Sequence, residues 1–179
     1  MNGQNCAYSQ LASSHNGTLC RALSQFKQEH QPLHAQKLEL FQLADSIQRT
    51  ADMTAARGKL LELEQLVLRF MDALEPHSER EEALLFPMMA AYIGRETGPI
   101  AVMEYEHEQA KGKIASFLSG IRQLPDPLTP EETAALSLLV MDAYSILTDH
   151  FFKEEQVLFP MAEQILSAAE KEQLAQALM

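Results

Sequence analysis

The 179-residue chain has few of the features that would tie it to a membrane, to nucleic acid or to a disulfide framework. Its two cysteines, Cys6 and Cys20, lack the spacing of a zinc or redox motif and are expected to be ordinary reduced thiols. No run of about 18 apolar residues and no signal peptide is visible, so we expect no membrane span and a cytoplasmic location. With only 14 Lys and Arg against 25 Asp and Glu, binding to nucleic acid or anionic lipid is not expected.

The chain also lacks the alternation of apolar and polar residues that marks β-strands. Apolar residues instead recur in steps of three and four, which is typical of amphipathic helices. We therefore predict an all-α fold, an antiparallel up-down-up-down four-helix bundle. An irregular N-terminal arm over residues 1–20 precedes the bundle domain at 21–179, which ends in a short C-terminal helix.

Prolines and caps set the predicted helix boundaries. Pro32 should separate or bend the segment before His30 from the main first helix, because proline is tolerated only in a first turn or at a kink. Pro76 should kink the second helix, predicted over about 54–86, and Pro87 should end or bend it. The third helix follows Gly98, and a capping box at Thr129 begins the fourth.

One motif, H-x-x-x-E-E-x-x-L-F-P-M, occurs twice, from His77 to Met88 and from His150 to Met161. Residues four apart on a helix lie about 40° apart around its axis, so the histidine and first glutamate of each copy face the same way. The second glutamate, Glu82 or Glu155, lies about 140° from its histidine and is expected to face solvent. The Leu-Phe-Pro-Met tail should pack and end the helix.

Six polar residues fall on the otherwise apolar faces of the four long helices: His30, His77, Glu81, His107, His150 and Glu154. A buried carboxylate without a partner costs several kcal/mol, and at comparable positions only Lys37 and Lys111 could supply a cation. Four imidazoles and two carboxylates exceed the needs of one tetrahedral zinc but suit two metal ions with bridging carboxylates. The donor types favour iron, manganese or zinc.

In this order the six residues resemble the ligands of the hemerythrin-like family, in its bacterial His-His-Glu-His-His-Glu form, over about residues 23–165. The resemblance implies a four-helix bundle with two iron ions bridged by the carboxylates and an oxo or hydroxo group, which binds or senses O2 or NO. Animal oxygen carriers have a further histidine where this chain has Lys111. His34, Glu104, Glu108 or water could fill that place, and Glu155 is the fallback for Glu154.

Three functions remain open at this stage. The first is binding or sensing of O2 or a related small ligand such as NO, without catalysis. The second is an iron-handling or oxidoreductase activity that detoxifies peroxide or NO, or donates iron to damaged clusters, with Cys6, Cys20 and Tyr105 as candidate helper groups. The third is a structural zinc or manganese site. The protein partner cannot be predicted.

Overall fold

The computed structural model describes residues 18–179, and every regular element in that range is helical. The helices are α1 (Arg21–Gln48), α2 (Met53–Arg80), α3 (Phe86–Ile93), α4 (Pro99–Ile121), α5 (Pro130–Lys153), α6 (Phe159–Ile165) and α7 (Ala168–Ala177). Two π-helical turns, Glu81–Leu85 and Glu154–Leu158, join α2 to α3 and α5 to α6. The all-α prediction is confirmed. Most of the predicted arm, including Cys6, lies outside the described residues.

The four long helices α1, α2, α4 and α5 pack into a bundle whose core consists of two apolar clusters. One contains Leu33, Leu74, Ala110 and Leu147, and the other contains Phe26, Leu85, Met103 and Leu158. Along each long helix, together with the π-helical turn that follows α2 and α5, the buried histidine lies between a residue of the first cluster and a residue of the second. The polar centre is therefore enclosed by apolar side chains from both ends.

Pro32 was predicted to separate or bend the first helix, and it does not separate it. Helix α1 runs through it from Arg21 to Gln48. Because proline has no N–H, the carbonyl of Gln28, four residues before Pro32, receives no hydrogen bond within the helix. Gln28 and Pro32 are both exposed, so water can donate to that carbonyl instead. Buried residues on either side, Phe26 and Leu33 among them, keep both halves of the helix docked on the bundle.

Pro76 likewise lies inside α2 on its exposed face, and the departure from α-helical geometry comes later, at the π-helical turns. In these turns the N–H of Phe86 bonds to the carbonyl of Glu81, and that of Phe159 to Glu154. The next residue in each copy is a proline, which has no N–H and would clash with the carbonyl four residues earlier in a regular helix. A widened turn accommodates it, so the repeated Phe-Pro explains the repeated π-turn.

The predicted cap of α5 is confirmed: Thr129 and Glu132 form a capping box, and Ser167 and Glu170 form a second one at α7. Between residues 18 and 179, no helix is both long and apolar enough to cross a lipid bilayer.

Candidate metal centre

All six residues singled out from the sequence are buried in the middle of the bundle, with at most 3% of their surface exposed. They form two groups of four whose donor atoms lie within 4.8 Å of one another. The first group is His30, His77, Glu81 and Glu154, and the second is Glu81, His107, His150 and Glu154. Because both glutamates belong to both groups, the arrangement has the form of two adjacent cation sites that share two carboxylates.

The four carboxylate oxygens at the middle of this cluster lack hydrogen-bond partners. Neither carboxylate oxygen of Glu81 or Glu154 accepts a hydrogen bond, although all four are buried. The Nε2 atoms of the four histidines lie 3.2 to 3.7 Å from these oxygens. The Nε2 atoms of His30 and His77 face each other at 3.1 Å. Buried lone pairs without donors are costly in an apolar core, and cations placed among them would satisfy them. The donor set therefore fits divalent metal ions.

In the absence of a cation, the buried groups ionise unequally. Burial and the charge of Glu154 raise the pKa of Glu81 well above its usual range. Burial alone would raise the pKa of Glu154 too, but the neighbouring His150 holds it below the usual range. Burial opposes the charge on His150, yet Glu154 and Glu106 raise its pKa to about 9. Protons on Glu81 and His150 therefore partly replace the positive charge of a metal.

A second layer of carboxylates surrounds the histidines, one for each imidazole. The Nδ1 atoms of His30, His77, His107 and His150 lie 2.9, 2.8, 2.7 and 3.2 Å from oxygens of Glu155, Glu29, Glu82 and Glu106. In every case the glutamate comes from a neighbouring helix or its π-turn, so the pairs link α1 to α2, α2 to α4, α4 to α5 and α5 back to α1. Donation from Nδ1 to a carboxylate leaves the lone pair of Nε2 facing the centre, as a metal ligand requires.

Each outer carboxylate is in turn paired with a basic side chain. The pairs are Glu29 with Arg80, Glu82 with Lys111, Glu106 with Lys153 and Glu155 with Lys27. The charge of Arg80 and the hydrogen bond from His77 outweigh partial burial, and the pKa of Glu29 is lowered to about 2. Lys111, which stands where animal oxygen carriers have a further histidine, holds Glu82 with its Nζ 3.3 Å from Oε1.

The expectation that Glu82 and Glu155 face solvent holds only in part, because their side chains are 36% and 19% exposed and each also bonds to a histidine. Both point away from the histidine of their own motif copy, as helical geometry requires. On that side of the helix, however, Glu82 contacts His107 and Glu155 contacts His30. Glu154 belongs to both inner groups and Glu155 to neither, so the two glutamates of each motif copy have different surroundings. Glu29 and Glu106 were missed. Their sequence signal is a repeated Glu-His dipeptide, at Glu29-His30 and Glu106-His107.

None of the side chains considered for the place of the further histidine joins either inner group. His34 is 44% exposed, with its Nε2 3.5 Å from Glu155 Oε1. Glu104 pairs with Arg95, 2.5 Å away, and Glu108 is exposed. Lys37 is buried, donates to Thr148 Oγ1 at 2.8 Å, and has its pKa lowered to about 8 by burial.

Aromatic rings close the centre against water. Phe151 stacks on the imidazole of His30 at 4.3 Å between centroids, and Phe159 lies against the same imidazole at 5.6 Å. Phe86 stacks on His107 at 5.9 Å. The phenylalanines of the repeated motif therefore shield the centre as well as precede the prolines.

The model of the hemerythrin HHE cation binding domain matches residues 21–162, which include all six inner residues. The chain belongs to this family.

Among similar proteins are those named iron-sulfur cluster repair protein YtfE. The protein from Musicola paradisiaca is 35% identical over 137 residues, covering 72% of this chain and 59% of the relative. Those from Yersinia pestis and Dickeya chrysanthemi are 32% and 31% identical, covering 72% and 78% of this chain and 59% and 62% of the relatives. The chain thus spans about three fifths of the length of these relatives.

Proposed function

We propose that this hemerythrin-like chain holds two iron ions and supplies iron for the repair of iron–sulfur clusters. The observation that carries the proposal is the set of four buried carboxylate oxygens without hydrogen bonds, facing four imidazole nitrogens. The ligands of the two ions are the six predicted residues, with Glu81 and Glu154 shared between the ions. The name of the relatives favours cluster repair over oxygen carriage, and so does Lys111, which replaces the further histidine of the animal carriers.

Residues 21–179 form one domain with up-down-up-down helix order in this proposal. His30 and His107 lie in the first half of α1 and α4, whereas His77 and His150 lie near the ends of α2 and α5. The meeting of all four histidines at one depth supports opposite directions for successive long helices. Contacts between helix ends agree: Gln48, at the end of α1, donates to the carbonyl of Ala134, near the start of α5.

The chain's own residues perform two tasks at this centre. Glu29, Glu82, Glu106 and Glu155 orient the imidazoles through Nδ1 and increase their basicity. The phenylalanines exclude water, which strengthens the attraction between carboxylates and cations. Bound iron would supply redox chemistry and open coordination positions.

Release of a cation would be coupled to protons. The pKa of Glu81 is raised by burial and by Glu154, and that of His150 is raised to about 9, so both groups can take up a proton when a cation leaves. These protons lower the cost of an empty, negatively charged core. These two protons would offset part of the charge that leaves with iron, a property that a donor needs and a permanent structural site does not.

The test begins with elemental analysis of protein purified without added metal, for which we expect close to two irons per chain. The iron-loaded protein is then mixed anaerobically with a cluster enzyme inactivated by NO, together with cysteine and a sulfide source. We expect recovery of activity in proportion to the iron lost by this chain. The variant Glu154→Gln, which lacks one shared carboxylate, should hold less iron and support less recovery. Iron retained throughout, or zinc in place of iron, would contradict the proposal.

Binding of O2 or NO is the second candidate. Each inner group offers four protein residues, fewer than the six donors that an octahedral ion accepts, so an external ligand has room. The measurement is the absorption spectrum of anaerobically reduced protein after exposure to air and again after removal of oxygen. A spectrum that returns to its starting form supports reversible binding, and permanent oxidation refutes it.

A further inference from the structure

We propose that the chain has a third, weaker site for a divalent cation, built from His34 and Glu155 at the outer surface of the bundle beside His30. His30 Nδ1 lies 2.9 Å and His34 Nε2 3.5 Å from the same oxygen, Oε1 of Glu155. The donor atoms of the three residues lie within 4.8 Å of one another. Unlike the inner residues, His34 and Glu155 are reached by solvent, with 44% and 19% of their side chains exposed.

The two available ligands belong to rigid elements. His34 follows His30 by one turn of α1, and its ring packs edge-on against Phe151 with centroids 5.3 Å apart. Glu155 belongs to the second π-turn and accepts the hydrogen of His30 Nδ1. A carboxylate has about four lone-pair positions, so Glu155 can keep this hydrogen bond and still bind a cation. An imidazole, a carboxylate and water molecules make a set that suits Zn²⁺ or Fe²⁺.

The surrounding charge makes the outer site weak. Lys27 Nζ lies 3.7 Å from Glu155 Oε2, and its side chain is largely exposed. A cation at Glu155 must therefore displace an exposed lysine, which is held by an ion pair of small energy. Lys37 adds a second positive charge farther along α1. The site is thus suited to transient occupancy, in contrast to the buried inner groups.

Glu155 connects the outer site to the inner one. Its negative charge increases the basicity of the His30 imidazole, which in the proposed function binds an inner ion through Nε2. A cation on Glu155 withdraws part of that charge and weakens the inner ligand. This coupling, unlike the outer site itself, rests on the proposed function.

The test is calorimetric titration of Zn²⁺ into the iron-loaded full chain, with the iron content measured before and after. We expect one weak binding event per chain. His34→Gln should weaken it at least tenfold without changing the initial iron content, because His34 belongs to neither inner group. Lys27→Gln should strengthen it about threefold by removing the competing ion pair. The control Glu39→Gln removes an exposed carboxylate from the same helix and should have no effect.

Unchanged Zn²⁺ affinity in His34→Gln, or in Lys27→Gln, would overturn the outer site. A failure of the inner assignment gives a different result, because the purified protein would then lack two irons per chain. In that case the same variants are titrated after loading of the inner groups with zinc, and the same two affinity changes decide the matter. Faster loss of iron to a chelator when Zn²⁺ is present, in wild type but not in His34→Gln, supports the coupling, and equal rates refute it.

Discussion

Replacement of Glu81 by Gln should make the metal-free protein more stable and should weaken its binding of metal ions. Glu81 is fully buried beside Glu154, and none of its oxygens accepts a hydrogen bond. Burial and the charge of Glu154 raise its pKa well above the ordinary carboxyl value of 4.5. A neutral amide of nearly the same size avoids this cost and can donate a hydrogen bond to Glu154. It cannot supply the negative charge that two shared cations require.

The size of the effect follows from proton linkage. Because the folded-state pKa of Glu81 is raised, its favourable contribution is full below pH 4.5 and is lost as the pH rises toward the folded pKa. The loss is at most about 1.4 kcal/mol per pH unit, so between pH 4.5 and pH 7 it reaches at most about 3.4 kcal/mol. For a chain of this size, the corresponding rise in Tm for Glu81→Gln at pH 7 is at most about 7 to 14 °C.

The assay is urea denaturation of the metal-free wild type and of Glu81→Gln at several pH values from 4.5 to 7. The difference in unfolding free energy should be small at pH 4.5 and should grow with pH. The control is Glu79→Gln, the same substitution at an exposed position of α2, which should leave both stability and metal content unchanged. A metal-free Glu81→Gln protein no more stable than wild type at pH 7, or a difference that does not vary with pH, would refute this reasoning.

Three further predictions concern other parts of the molecule. Glu29→Gln weakens the carboxylate support of His77 and should lower iron affinity about tenfold, measured by competition with a chelator. Phe151→Ala should lower the unfolding free energy by about 3 to 5 kcal/mol because Phe151 is fully buried, whereas Phe152→Ala, next to it and 65% exposed, should cost far less in the same denaturation experiment. Thr129→Ala removes the side-chain cap of α5 and should cost about 1 kcal/mol, with iron content unchanged.

The inner residues were predictable because they obey local rules. His77 and Glu81 are four residues apart on one helix, and so are His150 and Glu154, so their common direction follows from helix geometry. His30 and His107 lie on apolar faces defined by the spacing of their neighbours. The structure brings all six side chains together, and their role as ligands stays a prediction.

The outer carboxylates were not predictable in the same way. Glu82 and Glu155 point away from their own helix's histidine, and only the packing of the bundle decides whether that direction meets solvent or another helix. The same holds for Lys111, whose partner Glu82 lies on another element. The continuity of the helix through Pro32 also depended on packing, since buried residues on both sides keep the two halves docked on the bundle.

Taken alone, the sequence determined the helical class, the inward faces and the identity of the six central residues, because helical periodicity and the repeated motif are short-range properties. The tertiary structure decided which glutamate supports which histidine, and that His34 lies outside the centre beside Glu155. It also decided that the centre is surrounded by histidine–glutamate hydrogen bonds that link each long helix to its neighbours. Those features depend on which helices are neighbours. The sequence of one helix does not specify which residues of another helix it contacts.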